Sequence, residues 1–396
     1  MNIVILTYLF HPEPIVMSTI TEDLATELSK THNVKVVTSR PCRPYGYDLP
    51  SETTKDSWSF ERIILDSYTH PRSDNWGRMK ENISFGKAAR KYISKHHKEI
   101  DVIYMNVFPL FAQKMVIKEA KKHGIRTINH IEDIYPEPFK QKIGLIGNLI
   151  YHLLLPMDKW NIKNATHSIV IGDKIKEYFI RTRKTDNRNI SVVYNWQDET
   201  RFLKPVTTHP KQDCFTFMYV GSISRAAGLQ VVIEAFSKAQ INGARLIMAG
   251  SGNECANLKA ECDKNNYKNI DFIDAPFEHI SEIQAQADVL ILPLLKGVSL
   301  RAVPSKLTAY LFSKKAIIAC VDAESDVANI ITKGECGWIT SPENIDALKE
   351  TMLYVSQCTN SDLIKMGNNA YKYVQEHLSR KVNLEKLVNL VVNSIK

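Results

Sequence analysis

Cysteine is scarce in this chain: seven among 396 residues, odd in number and scattered, with Cys255 and Cys262 the nearest pair in sequence. That excludes a disulfide framework and a zinc knuckle, and it fits reduced thiols in a cytoplasm. Long apolar runs are missing as well. No stretch of about 18 uninterrupted apolar residues occurs, so a helical membrane channel is excluded. The opening MNIVILTYLFHPEP has too short an apolar stretch, no basic leading region and no small-residue cleavage site. A first strand is expected there, not a signal peptide. There is no Asp-x-Asp motif, which speaks against a metal clamp on a diphosphate, and no full Gly-x-Gly-x-x-Gly or Walker loop, which weakens NAD and ATP readings. Low-complexity segments and sequence repeats are absent too, and the disordered, collagen-like and fibrous classes go with them.

What remains is ordinary globular material, 44% hydrophobic and 24% charged, long enough for two domains with a core each. The net charge of +8 lies mostly in the first 200 residues, in the clusters Arg90–Lys98, Lys118–Arg126 and Arg181–Lys184. Such a surplus serves nucleic acid, an anionic membrane surface or phosphorylated substrates, or is simply a solvated helix face. No basic stripe interleaves with aromatics and no binding motif is present, so nucleic acid is not an expected partner.

Short β-rich runs alternate with helical patterns, the signature of βα units and parallel sheets. NIVILT (Asn2–Thr7), NVKVVT (Asn33–Thr38), VIYM (Val102–Met105), RTINHI (Arg126–Ile131), HSIVI (His167–Ile171) and ISVVY (Ile190–Tyr194) form one series of strands. FTFMYV (Phe215–Val220), ARLIMAG (Ala244–Gly250), IDFI (Ile270–Ile273), DVLILP (Asp288–Pro293) and AIIACV (Ala316–Val321) form a second. Between them NWQDETRFLKPVTTHPKQDC is polar, holds two prolines and has no periodicity, which marks a domain boundary. The expected fold class is α/β: domains 1–197 and 198–396, each a doubly wound Rossmann-like sheet, facing a central cleft. A long amphipathic region, Asp362–Ile395, ends the chain, and its last helix is a candidate to pack back on the first domain. Ligands of such sheets bind at the carboxyl ends of the strands.

Three segments have the chemistry of phosphate cradles. MYVGSISRAAGL (Met218–Leu229) places Gly221 and Arg225 between a strand and a helix opening near Gly228. Glycine lets the backbone approach a ligand, helix amides favour anions, and arginine clamps phosphate. MAGSGNE (Met248–Glu254) repeats that logic with Gly250 and Gly252, and either loop could equally be a plain βα turn. In LLKGVSLRAVPSKLTAYL (Leu294–Leu311), Pro304 and Ser305 suit a helix start. Lys306 in that first turn opposes the helix dipole, which makes sense if an anion binds there, unless the side chain points into solvent. With Arg301 and Lys296 nearby, this is the best diphosphate site.

These segments, with LTYLFHPEP (Leu6–Pro14), HIEDIYPEP (His130–Pro138), SVVYNWQD (Ser191–Asp198), QADVLILPL (Gln286–Leu294) and GECGWITSPENIDAL (Gly334–Leu348), run in order over nearly the whole chain. Together they resemble a family 4 glycosyltransferase of the GT-B fold, in the bacterial O-antigen, capsule and colanic-acid subgroup that includes N-acetyl-L-fucosamine transferases. The resemblance implies a retaining, metal-independent hexosyltransferase without cofactor. It implies a nucleotide-sugar donor, UDP-linked, in the C-terminal domain, and a polyprenyl-linked glycan acceptor in the N-terminal domain. Cytoplasmic placement, peripheral on the inner face of the membrane, follows from such an acceptor. Lys306, Ser305, Gly221, Arg225 and Arg301 would hold the diphosphate, and Gly250, Gly252, Pro276 and Glu324 the nucleotide and sugar.

In NHIEDIYPEP the group His130, Glu132, Asp133 and Glu137 follows a strand, and carboxylates with an imidazole can orient an acceptor hydroxyl or stabilise an oxocarbenium charge. In the family the aspartate of this motif and a nearby histidine line the catalytic cleft, so Asp133 leads, then His130 and Glu132. Alternatively Glu132 or Glu137 caps a loop and His130 is a satisfied strand-end residue; His11 in the first loop is a further, weaker candidate. Departures from the wider family stand out. The usual glutamate pair becomes Arg301 and Ala309, the usual Arg and Lys of the first C-domain loop become Ser222 and Ala227, and the glycine pair of the first N-domain loop is missing. Since that second glutamate usually holds the ribose hydroxyls, the contact must differ here. A non-catalytic sugar-nucleotide-binding scaffold and a nucleotide-sugar 2-epimerase are the alternatives. Asp322, Glu324 and Asp326 suit the acidic start of a helix. Finally, residues 142–160 are apolar and lysine-flanked, either an ordinary packed helix or a membrane contact through Ile143, Leu145, Ile146, Leu149 and Ile150.

Overall fold

The computed structural model describes residues 1–13, 15–43, 58–70, 74–106, 110–142, 144–203 and 214–393. Pro14, Ile143 and the stretch 204–213 of the expected boundary lie outside the described residues. The chain divides into two compact units, Met1–Asn195 with Asn383–Lys396, and Trp196–Val382.

Strands of the first unit are β1 (Asn2–Thr7), β2 (Asn33–Thr38), β3 (Glu61–Ile64), β4 (Val102–Asn106), β5 (Arg126–Ile131), β6 (His167–Val170) and β7 (Ile190–Val192). Those of the second are β8 (Phe215–Val220), β9 (Ala244–Ala249), β10 (Ile270–Ile273), β11 (Val289–Pro293), β12 (Ala316–Cys320) and β13 (Gly337–Thr340). Every pairing is parallel, in the orders β3-β2-β1-β4-β5-β6-β7 and β10-β9-β8-β11-β12-β13. Parallel strands are covered on both faces, so their sequences are continuous apolar runs, and β4, β11 and β12 are buried along their whole length.

In the helix Leu229–Ala239 the buried set Leu229, Val232, Ile233 and Phe236 has the three-and-four spacing of one helix face. It packs on Phe217, Tyr219, Leu246 and Met248. The first unit matches this with Val4, Leu6, Ile103 and Met105 against Phe85, Ala89 and Val116. Each such side chain contributes about 1.5–3 kcal/mol by leaving water.

Two strands have no counterpart in the periodicity. β3 and β13 are edge strands, half-exposed, and lack the continuous apolar run of their neighbours. The last helix, Arg380–Asn393, begins in the second unit and ends in the first, where buried Asn383 accepts the Tyr194 amide at 3.0 Å.

Both sheets reverse winding direction once, between β1 and β4 and between β8 and β11. At that point the helices leaving adjacent strands go to opposite faces and a crevice opens beyond the carboxyl ends. In the second unit the loops after β8 and β9 run side by side there. Gly221 N–H bonds Ala249 O at 2.9 Å, Ile223 N–H bonds Ser251 O at 2.8 Å and Glu254 N–H bonds Ile223 O at 3.2 Å. A Cβ on Gly250 (φ +140°) would fall 2.0 Å from Gly221 O, and one on Gly252 2.1 Å from Ile223 O. These two glycines are therefore required by backbone against backbone. Gly250→Ala is expected to destabilise the second unit by about 2 kcal/mol or more. Gly243→Ala, also at positive φ but with open space around it, should cost only about 1 kcal/mol of conformational strain. Urea unfolding of the two variants compares them, and equal losses would refute the close-approach account.

Candidate functional site

In the second unit a cavity of about 350 Å³ sits at the β8/β11 reversal, lined among others by Gly221, Ser222, Gln284, Ser305, Lys306 and Ala309. Lys306 occupies the first turn of the helix Ser305–Phe312, beyond Pro304 at the cap. Its ammonium does not run into solvent. Nζ donates to Tyr219 Oη at 2.8 Å and lies 4.6 Å from the centre of that ring. The Tyr219 hydroxyl in turn donates to Ser222 O at 2.6 Å. No carboxylate pairs with Lys306 among the described residues. Burial lowers its pKa to about 8. A partly desolvated cation held by a phenol and a π-face, with no counter-ion among the described residues, has the chemistry to receive an anion. Gly221 keeps its approach open, since a Cβ there would stand 3.4 Å from both Lys306 Nζ and Tyr219 Oη. The helix adds N–H groups that have no intrahelical partner in its first turn.

The other residues expected here are distributed differently. Ser305 is exposed at the cavity, its carbonyl bound by Gln197 Nε2 at 2.6 Å. Arg225 lies exposed in the one-turn helix Arg225–Ala227 and is not part of the cavity lining. Arg301 Nε is turned back onto Gly297 O at 3.0 Å. Gly250 and Gly252 are engaged in the loop contact described above, and neither lines the cavity. Pro276 is exposed ahead of the turn Phe277–His279, and Glu324 is exposed two residues before the helix Asp326–Lys333. Asp322 is not an acid at that helix start. It accepts Gly297 N–H at 2.8 Å and the Ser299 hydroxyl at 2.7 Å, pinning the loop after β11, while Ser325 caps the helix.

The first unit has a cavity of about 390 Å³ beyond the ends of β1 and β5, lined among others by Tyr8, Arg78, His130, Glu132, Asp133 and Tyr135. His130 and Glu132 are its electrostatic centre. His130 is buried, with Nδ1 hydrogen-bonded to Tyr104 Oη at 2.6 Å and Nε2 3.4 Å from Glu132 Oε1. Burial lowers the imidazole pKa to about 3, so it is neutral. Nδ1 and the Tyr104 hydroxyl share one hydrogen bond, and Nε2 is the nitrogen that faces Glu132. Burial raises the Glu132 pKa to about 7, against a hydrogen bond from Asn195 Nδ2 at 2.6 Å that favours the carboxylate, with Asp133 adding a like charge. Asp133 stands at the solvent-open mouth, where the surrounding protein still raises its pKa above the ordinary value.

Glu137, the fourth member of the motif, takes no part in this group. It forms a two-pronged pair with buried Arg183 (2.6 and 2.9 Å) and accepts the Tyr178 hydroxyl at 2.6 Å. Arg183 also bonds Asp158 at 2.7 Å and Tyr135 O at 3.0 Å, so one guanidinium fastens the whole loop that carries Asp133. His11 contacts Glu22 at 2.5 Å and is not among the residues lining the cavity. Buried Glu13 of the same first loop accepts the backbone N–H of Phe10, Cys42 and Arg43, and joins the loops after β1 and β2. Tyr104, Asn195 and Tyr219 each hold a site residue and had no role in the sequence reading. Their only signals were a tyrosine within an apolar strand and the asparagine of the YNWQD segment. Arg183, read there only within the basic cluster Arg181–Lys184, is buried and paired with Glu137 and Asp158 instead of facing solvent.

Comparison with known proteins fits this geometry. Residues 17–201 match the model described as Glycosyltransferase Family 4, and residues 202–373 the model described as Glycosyl transferases group 1. Both matched models are glycosyltransferase models, each over a little under half of the chain, and the fold, two parallel-sheet Rossmann-like domains, is that of GT-B structures. Among individual proteins, the chain is similar to the probable glycosyltransferase WbjE of Pseudomonas aeruginosa, 21% identical over 282 residues and covering 68% of each chain. Its fold is similar to that of Anabaena HepE, solved with UDP (TM-score 0.71, 13% identity, 99% of this chain and 100% of that one). It is also similar to sucrose-phosphate synthase of Thermosynechococcus elongatus (TM-score 0.75, 14% identity, 99% of each chain). At these identities the structural likeness establishes the fold.

The proton affinity of Glu132 gives a test of the first cavity. Its folded-state pKa is raised, so its contribution to stability is full below about pH 4.5 and is lost as pH rises through about 7. His130, with a lowered pKa, runs the other way and loses stability as pH falls below about 6.5. Glu132→Gln removes only the first effect. Relative to wild type, the variant should gain up to about 3 kcal/mol between pH 5 and 8, read from urea unfolding at each pH. A constant difference would show that Glu132 is ionised throughout.

Proposed function

We propose that this chain is a retaining glycosyltransferase that moves a sugar from a nucleoside-diphosphate donor to a glycan acceptor in bacterial O-antigen, capsule or exopolysaccharide synthesis. The donor binds in the second unit and the acceptor in the first. The observation that carries this reading is Lys306, an unpaired, partly desolvated cation at the reversal point of a doubly wound sheet. Charge develops on the leaving diphosphate as the glycosidic bond to it breaks. Lys306 and the first N–H groups of its helix stabilise that charge without rearrangement, since they are already oriented. Arg225 and Arg301 lie on neighbouring loops and supply longer-range positive potential. HepE has been crystallised with UDP, with UDP and glucose, and with UDP-glucose, which supports a uridine donor here.

In the first unit Asp133 orients the acceptor hydroxyl, which attacks from the face the diphosphate leaves. Neutral His130 and Glu132 sit deeper and keep the cavity polar without adding a fixed cation.

The acceptor is lipid-linked in this reading. Its support is the helix Gly144–Asn164, which turns Leu145 (91% exposed), Ile146, Leu149 and Leu153 (67%) outward on one stripe, with Ile150 half-buried. No helix among the described residues is long and apolar enough to cross a membrane, so the contact is peripheral.

Lys306→Ala is expected to weaken UDP binding at least tenfold by calorimetry with the melting temperature kept. In wild type, affinity should fall as pH rises through about 8, where the ammonium loses its proton. Asp133→Asn should keep UDP affinity and lose turnover about a hundredfold or more. Unchanged UDP affinity in Lys306→Ala would remove the donor site from this cavity. For the membrane contact, Leu145→Asp with Leu149→Asp should abolish co-sedimentation with anionic phospholipid vesicles while UDP affinity stays constant. Persistent sedimentation would exclude this helix face.

A further inference from the structure

Gln284 is a buried polar group that the reading above leaves unused. It belongs to the short helix Ile280–Ala285, and with Ile280, four residues back and on the same face, it lines the cavity that holds Lys306. Only 1% of the residue is exposed, and its Oε1 is buried without a hydrogen-bond partner. Buried acceptors are ordinarily paired, because the cost of stripping them of water is otherwise uncompensated. Folding has left this one unpaired and buried in a residue that lines a cavity wall.

The rest of the lining narrows what can satisfy it. Leu294, Phe202 and Ala309 are apolar, Lys306 Nζ is bonded to Tyr219 Oη, and Gln197 is committed to Ser305 O. Ser222 and Ser305 are exposed and have water. Among the described residues, no carboxylate lines the cavity. A nucleoside diphosphate brings an anionic end, which suits Lys306, and hydrogen-bond donors on its nucleoside end, which need an acceptor. We propose that Gln284 is that acceptor: its side-chain amide takes a hydrogen bond from a ribose hydroxyl or a base N–H, and so sets nucleoside selectivity. The inference rests on the donor-site reading. A neutral amide in this place has a consequence that a carboxylate would not. Beside the acceptor it carries N–H donors, so it can pair with a donor–acceptor edge such as N3–H and O4 of uracil, and it adds no negative charge near the diphosphate.

The test is calorimetric binding of UDP, 2′-deoxy-UDP, 3′-deoxy-UDP and N3-methyl-UDP to wild type, Gln284→Leu and Gln284→Met. Because Oε1 has no protein partner, neither substitution removes an internal bond to it, and melting temperatures at or above wild type are expected. Methionine, unbranched like glutamine, serves where leucine does not fit the site. UDP affinity should fall about tenfold or more in the variants. On wild type, the analogue lacking the relevant donor should lose the same factor and lose nothing further on the variants. Loss with a deoxy analogue identifies the ribose, and loss with the N-methyl analogue the base. Wild-type UDP affinity in both variants overturns the assignment of Gln284 while leaving the donor site intact. Failure of wild type to bind any nucleoside diphosphate overturns the donor site and this inference with it.

Discussion

Parallel strands joined by right-handed crossovers impose the constraint from which the rest of this molecule follows. A sheet built outward from its first strand must reverse direction once to cover both its faces. The reversal separates two helices and leaves the carboxyl ends of two central strands uncovered. In the second unit that happens between β8 and β11, and the residues uncovered there are Val220 and Gly221 on one side and Leu294 on the other. In the first unit it happens between β1 and β4, beside Tyr8 and Leu9. The cavities are thus fixed by topology before any side chain is chosen. Side chains then decide what each cavity is for.

They decide it in opposite ways. Among the described residues, the lining of the second cavity has a cation and no carboxylate. Lys306 is stabilised by a phenol and an aromatic face, partners that hold an ammonium without neutralising it. The first cavity has a histidine and an acid so deeply buried that both tend to the neutral form, the imidazole by losing its proton and the carboxyl by keeping one. Fixed positive potential suits a leaving diphosphate. A hydrogen-bonding wall with an exposed carboxylate, Asp133, and an arginine, Arg78, in the same lining suits polyhydroxylated acceptors. The same desolvation produces both results, because burial lowers the pKa of a base and raises that of an acid.

Central strands, the helices that cover them, and the Lys306 turn were legible because each carries a local pattern: continuous apolar runs, three-and-four spacing, or a basic residue where a helix dipole disfavours one. β3 and β13 were not, since ERII and GWIT are short, half-wet and carry no continuous apolar run. Within the candidate sites, the legible part was residue type and the illegible part was partner. Asp322 has the sequence context of a helix-start acid, yet it ties the 297–299 loop, and Ser325 does the capping. Gly250 looks like a ligand-loop glycine and is demanded by the carbonyl of Gly221. Both partners lie far away in sequence, where no periodicity reaches.

Glu137 and Glu132 make the same point within five residues of chain. Both are glutamates of one motif, and both are within reach of the loop that carries Asp133. Glu137 meets a guanidinium brought in from the helix Asp173–Arg183, and the two-pronged pair holds its pKa below the usual value. Glu132 meets an amide and an imidazole instead, neither of them charged, and burial then dominates. An ion pair of the first kind is rigid and committed, so it fits a loop anchor. A carboxyl of the second kind can exchange its proton near neutrality, so it fits a wall that a substrate hydroxyl must approach. Anchor and site are therefore separated by which cation the fold delivers. Arg183 is the residue that frees Glu132 and Asp133 from holding the loop and leaves them to face the cavity.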